Sequence, residues 1–255
     1  MSHGAARTIR AGRHTVELQR PGKVLFPGRA GAPGYTKGDL ADYYRSVAPY
    51  LLPHLRGRPL MLERYPDGLD GERFPQKNVP GHCLDWITRA EVAKEGGTVT
   101  HVVRDDTATL LYLAGQACIT LHRRLSRTDR AGGPGCPDRL VFDLDPPGDD
   151  FAAARHPDRL TTAARKKDRA GRLHLDVQRD AYARTAVAPY TVRALPGAPV
   201  AVPLAWKQVD EPVLDARRWT LADAVDQART EPWAGLPRRG RSLGPARRRL
   251  DDMRS

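Results

Sequence analysis

Val141-Phe142-Asp143-Leu144-Asp145-Pro146 carries two carboxylates at a spacing of two and runs into Pro147. Side chains alternate along a strand, so Asp143 and Asp145 share one face while Phe142 and Leu144 share the other. Two carboxylates on one face of a short, buried, mostly apolar strand repel each other unless a cation sits between them. The chemistry this suggests is a divalent-metal site; the alternative is an Asp that closes a strand in a turn before Pro-Pro. Arg172 to Gln178 alternates as well, with Leu173, Leu175 and Val177 facing one way and His174, Asp176 and Gln178 the other. Asp176 is thus a third strand carboxylate.

Other elements must position these groups. Residues 1 to 14 read as a flexible arm, and Thr15–Leu18 and Lys23–Pro27 as short apolar pieces. Thr36 with Asp39 three residues on predicts an N-cap and a helix bearing Leu40, Tyr43, Tyr44 and Val47, interrupted at Pro49 and Pro53. Leu60–Tyr65 predicts a strand closed by the turn Pro66-Asp67-Gly68, and Val99–Val103 predicts another. From a cap at Asp105 or Asp106, a nearly continuous apolar run predicts one buried helix through Leu121, ending at His122-Arg123-Arg124. Gly132 to Gly135 reads as a loop, Thr161–Lys167 as a short helix in a charged segment, and Thr220 with Asp223 as the start of a last helix. The Arg-rich segment 237–255 reads as a solvated tail rather than a dedicated binding element.

Composition narrows the partners. The chain has 255 residues, enough for a real core, and a formal charge of +12. That excess favours a polyanion, nucleic acid before an anionic membrane. Cys83, Cys118 and Cys136 form no Cys-x-x-Cys pair, which argues against a zinc knuckle or a disulfide framework. The N-terminus has no apolar h-region, and Leu110–Leu121 is too short to span a bilayer, so the expected location is cytoplasmic, at the nucleoid.

The order Asp-Leu-Asp-Pro at 143–146, Lys-Asp-Arg at 167–169, Leu-Asp at 175–176 and Ala-Pro-Tyr-x-Val-Arg at 188–193 resembles a known family. It is similar to the polymerase domain of bacterial DNA ligase D, a primase-polymerase of the archaeo-eukaryotic primase superfamily used in non-homologous end joining. Tyr35–Asp39, Arg64–Gly68, Leu140–Pro146 and Thr185–Arg193 carry the likeness, which runs from Lys23 to about Leu250. The resemblance implies an α/β (α+β) fold, a primase-like mixed sheet backed by helices, over residues 15–236. It also implies two Mn²⁺ or Mg²⁺ ions on Asp143, Asp145 and Asp176, serving nucleotidyl transfer to a DNA 3′ end. His122, Arg169 and Arg193 match residues around the nucleoside triphosphate. Lys23 and Lys37 match lysines that hold the 5′-phosphate of a DNA end, and Arg64 and Phe74 match DNA-binding positions. On its own, His122 at a helix end reads as a surface or capping residue before a nucleotide contact. A separate DNA ligase and an end-binding protein are implied partners.

The departures are as informative. Family members carry a serine, a glycine-rich turn and a histidine between the two metal strands; residues 146 to 175 contain no Ser and no such turn. A deletion of several dozen residues, joined near 152–155, would leave the catalytic sheet incomplete, with exposed edges and an uncovered apolar face. Pro75 follows Phe74 where an aromatic ring would stack on a template base, and Glu63 stands where a basic residue is usual. Three readings follow: an active end-extending polymerase, a non-catalytic binder of 5′-phosphorylated ends, and a decaying gene product without function.

Overall fold

The computed structural model describes residues 5–29, 31, 33–94, 96–103, 106–128, 133–145, 156–176, 184–211, 214–236 and 242–253. The expected deletion junction at 152–155 lies outside them. The chain opens with an antiparallel hairpin of β1 (Arg7–Ala11) and β2 (His14–Leu18). Part of the segment expected to be an arm is therefore structured. Ile9, Val16 and Leu18 are buried on the hairpin's inner face, while the polar positions between them face water.

Next, β3 (Val24–Phe26) pairs with β4 (Tyr35–Thr36), which leads straight into α1 (Lys37–Leu55). Thr36 caps α1 as its side-chain spacing predicts: its hydroxyl accepts from the Asp39 N–H at 3.2 Å, and Asp39 accepts from the Thr36 N–H at 2.7 Å. A cap of this kind contributes about 1 kcal/mol. Pro49 and Pro53 do not interrupt α1, which runs through both. The buried stripe of Tyr44, Val47, Leu51 and Leu55 explains why: each fully buried apolar side chain contributes about 2 kcal/mol, offsetting the hydrogen bonds that proline removes.

A six-stranded sheet forms the centre of the fold. β5 (Pro59–Arg64) pairs with β6 (Phe74–Gln76) and, after β7 (Arg89–Lys94), with β8 (Gly97–Val103). β8 also pairs with β7. Asp106 caps α2 (Thr107–Gly115), its carboxylate accepting from the Thr109 N–H at 2.8 Å. The helix stops there. Ala117 takes φ 55° and turns the chain into β9 (Cys118–Arg124), which pairs with β5. A single helix through Arg124 is thus corrected to a helix and a central strand. Apolar residues on both faces of a buried strand and of a buried helix give the same unbroken run.

β10 (Ser126–Thr128) and β11 (Pro134–Pro137) form a small hairpin, so the predicted glycine-rich loop is partly strand. β12 (Asp143–Asp145), β13 (Leu160–Thr161) and β14 (Leu173–Asp176) make a separate three-stranded sheet, ordered β12-β14-β13. β12 is not a buried strand as its sequence suggested: Phe142 and Leu140 beside it are 64% and 58% exposed. In place of the helix predicted over 161–167 there is one 3₁₀ turn, Lys166–Asp168. β15 (Thr185–Val187) closes the six-stranded sheet against β9. α3 (Ala224–Arg229) packs on α1, and the expected tail contains α4 (Gly244–Asp252), which buries no residue.

α1 and α2 pack on one face of the large sheet. There Leu60, Leu62 and Leu121 join the core, and the Tyr44 hydroxyl donates to the Ile119 carbonyl at 2.6 Å. The opposite face carries Met61, Glu63, Thr120, His122 and Val187, aligned by register.

Candidate active site and nucleic-acid interface

Lys23 precedes β3 and Lys37 follows β4, so the pairing of these strands brings the two lysines together; the Lys37 N–H donates to the Lys23 carbonyl at 2.8 Å. Lys37 is buried, and its ammonium donates to the Gln19 carbonyl at 3.1 Å. Burial, reinforced by Arg20, Lys23 and Arg64 nearby, pushes its pKa down to about 8. A buried ammonium among other cations makes this a candidate anion-binding position. Lys23 meets Asp67 at 2.6 Å, and this lysine holds the Asp67 carboxyl below its usual range. The turn at Gly68, with φ 80°, makes that contact possible: a Cβ there would lie 3.0 Å from the Val24 carbonyl oxygen.

Arg20 belongs to this cluster and was not legible in the sequence. It holds φ 51°, a conformation uncommon for a side chain that large, and its carbonyl accepts from the Lys23 N–H at 3.0 Å. Arg64 is held by Gln116 and Gln76 through three hydrogen bonds from its guanidinium at 3.0 to 3.2 Å. Its partner across the strands is Phe74, whose ring is 45% exposed. An open ring beside a fixed cation suits base stacking.

On the face of the sheet away from the helices, His122 and Arg193 line one cavity of about 240 Å³, with Glu63, Tyr65, Arg73 and Thr120. His122 therefore sits on a central strand rather than at a helix end. Its Nε2 lies 3.5 Å from Glu63 Oε1, and Arg73 reaches the same oxygen at 3.5 Å. Burial and then Glu63 raise the pKa of the Tyr65 phenol. Glu63 thus places a carboxylate among the basic side chains that line this cavity. The cavity is also smaller than the roughly 300–1,000 Å³ usual for small-molecule pockets. Arg169 is not among its lining residues: its guanidinium donates to the Ala163 and Ala164 carbonyls at 3.2 and 3.0 Å.

The three aspartate positions fall in the small sheet. β12 and β14 are antiparallel with Asp143 directly opposite Asp176 and Asp145 opposite His174, so the pleat puts all four positions on one face. Directly opposed like charges destabilise a strand pair unless a cation intervenes. His174 is buried, a position with no assigned role in the sequence reading. An all-oxygen carboxylate set is what Mg²⁺ and Mn²⁺ take, so these residues fit such ions. Among the described residues no cluster of three metal-ligating side chains is already assembled.

The chain thus combines a mixed α/β sheet, a cationic cluster at a helix N-terminus and opposed strand carboxylates. The family model for the LigD primase-polymerase domain matches residues 36–155 and 150–233, and the chain belongs to that family. It is 29% identical, over 80% of its length, to the multifunctional non-homologous end joining DNA repair protein LigD of Mycobacterium tuberculosis. It is 26% identical, over 77% of its length, to the bifunctional non-homologous end joining protein LigD of Bacillus subtilis. The chain spans only 34% and 40% of these two relatives. Among solved structures it resembles the polymerase domain of Mycobacterium tuberculosis ligase D in complex with DNA, with a TM-score of 0.73 and 27% identity, covering 85% of this chain and 95% of that one. Among the described residues no helix is long and apolar enough to cross a membrane.

Proposed function

We propose that this chain is a DNA-end primase-polymerase module of non-homologous end joining, adding nucleotides to a 3′ end whose neighbouring 5′-phosphate it holds. The observation that carries this reading is the register of β12 on β14, which sets Asp143 against Asp176 in a chain of this family. Asp143, Asp145 and Asp176 would hold two Mn²⁺ or Mg²⁺ ions, which supply Lewis-acid stabilisation of phosphate charge when bound. Lys23, Lys37 and Arg20 grip the 5′-phosphate, Phe74 and Arg64 meet the strand beside it, and His122 and Arg193 face the incoming nucleoside triphosphate. A separate ligase and an end-binding protein would complete the repair. Extension of a labelled, 5′-phosphorylated gapped duplex by purified, folded protein with Mn²⁺ tests the reading; no product refutes it.

Specific observations favour a second reading, a binder of 5′-phosphorylated ends that does not extend them. Glu63 occupies the nucleotide cavity between His122 and Arg73. In addition, the family model matches in two segments that meet at 150–155, and the alignment to the mycobacterial relative runs over 266 positions while taking in 80% of this chain. The relative therefore carries residues that this chain lacks, in keeping with loss of the nucleotide-contacting motif. End binding that depends on the 5′-phosphate, without extension, is the outcome this reading expects.

A further inference from the structure

At the C-terminal end of α1 lies a second cavity, of about 460 Å³, that the reading above does not use. Along α1 its lining runs from Pro49 to Arg56, which at 1.5 Å per residue lies about 18–28 Å along the helix from Lys37. Its walls are aromatic. Tyr50 and Tyr190 have ring centroids 6.2 Å apart, and His54 lies 5.9 Å from Trp233 in an edge-to-face arrangement. The Trp233 indole is fixed by its N–H donating to the Leu204 carbonyl at 3.2 Å, yet the side chain remains 39% exposed. Tyr190 is held at φ 64°, a conformation rare for a bulky residue, with its carbonyl accepting from the Tyr43 hydroxyl at 2.8 Å.

The cavity is also cationic. Arg56, Arg127 and Arg139 line it. Arg127 is paired with Asp138 at 3.1 Å, but Asp138 already serves the buried Arg58 at 2.6 Å. Among the described residues neither Arg56 nor Arg139 has a carboxylate partner. Behind the wall Arg123 is 6% exposed; it donates to the His54 carbonyl at 3.0 Å, and its Nε has no partner. Burial first, and then the charges of Arg123, Arg139 and Arg58, push the His54 pKa down to about 4. Glu231 is the acidic lining residue, able to accept from a sugar hydroxyl or a base N–H.

We propose that this cavity binds one nucleotide of a single-stranded nucleic acid, its base stacked against Trp233 and Tyr50 and its phosphate held by Arg56 and Arg139. Flat rings reward a π-faced ligand, and guanidinium groups without carboxylates reward a phosphate, which together describe a nucleotide. The size lies within the range of small-ligand pockets, about 300–1,000 Å³. The proposal goes beyond the end-binding and nucleotide-adding reading and does not rest on it.

The test uses the full chain and a fluorescent 5′-hydroxyl dT12 strand, so that the 5′-phosphate site contributes nothing. Arg56→Gln with Arg139→Gln should lower affinity more than tenfold and reduce the salt slope by about 0.7, the value for one neutralised phosphate on a single strand. Trp233→Ala should cost roughly tenfold and Trp233→Phe much less. Both Arg side chains are exposed, so their variants should unfold at the wild-type temperature; Trp233→Phe serves as the conservative check on the aromatic wall. An unchanged affinity and slope in the double Arg variant would overturn the proposal. So would full retention of binding in folded Trp233→Ala. Competition by dTMP assigns the ligand to a single nucleotide, and its failure assigns it to a strand. Displacement by inorganic phosphate as effective as by dTMP would overturn the stacking half.

Discussion

If Lys37 is the anion-receiving group of the end site, DNA-end binding should titrate with it. The buried ammonium loses its proton near pH 8, because burial and then the charges of Arg20, Lys23 and Arg64 disfavour it. A terminal 5′-phosphate has its second pKa near 6, so its charge is constant above pH 7.5. From pH 8 to 9.5 the protonated fraction of Lys37 falls from one half to about 0.03, so affinity for the phosphorylated end should fall about fifteen-fold, or ~1.6 kcal/mol. Fluorescence anisotropy with 5′-phosphate and 5′-hydroxyl duplexes reads this as a ratio. Lys37→Arg keeps its charge across the range and should flatten the curve. Lys23→Met removes one of the charges that depress Lys37 and should move the midpoint upward while weakening binding. An identical pH dependence for both duplexes, or a Lys37→Arg curve as steep as wild type, refutes the reasoning.

Further outcomes follow from the same geometry. Lys37 releases its proton near pH 8 when folded and near 10.5 when unfolded. Between those values the unfolded state binds more protons, so stability should rise with pH across that window. Lys37→Met should therefore gain about 1–3 kcal/mol in urea unfolding at pH 7, a gain that shrinks toward pH 10.5. Glu63→Lys should raise Mg²⁺-nucleoside triphosphate affinity at least tenfold by calorimetry; unchanged affinity would mean that Glu63 does not oppose the triphosphate. Asp176→Asn should weaken Mn²⁺ binding measured by electron paramagnetic resonance, and equal binding would place the ions elsewhere. Asp138→Asn leaves Arg58, 1% exposed, without its carboxylate, and should cost about 2 kcal/mol by thermal unfolding. That is below the 3–5 kcal/mol of a fully buried pair because Asp138 is partly in water.

Local rules read out well from the sequence because their physics is local. The Thr36–Asp39 cap and the Pro66-Asp67-Gly68 turn each involve residues a few positions apart, and the structure holds both; 173–176 is a strand, but it buries Leu173 and His174 side by side in place of the expected alternation. Family motifs singled out the lysines, His122, Arg193 and the three aspartates as candidates without any geometry. What only the tertiary structure decided depends on residues distant in sequence. An unbroken apolar run from Leu110 to Leu121 is compatible with a helix or a doubly buried strand, and pairing with β5 and β15 chose the strand for Cys118–Arg124. The prolines of α1 were tolerated because packing against the sheet outweighs local helix preference. Arg20 joins the Lys23–Lys37 cationic cluster, and Glu63 meets His122, through backbone pairings that no spacing rule encodes. The carboxylates were visible as residue types at once. That Asp143 stands opposite Asp176 was decided by strand register, which is set across a connection of some thirty residues by how sheet faces bury.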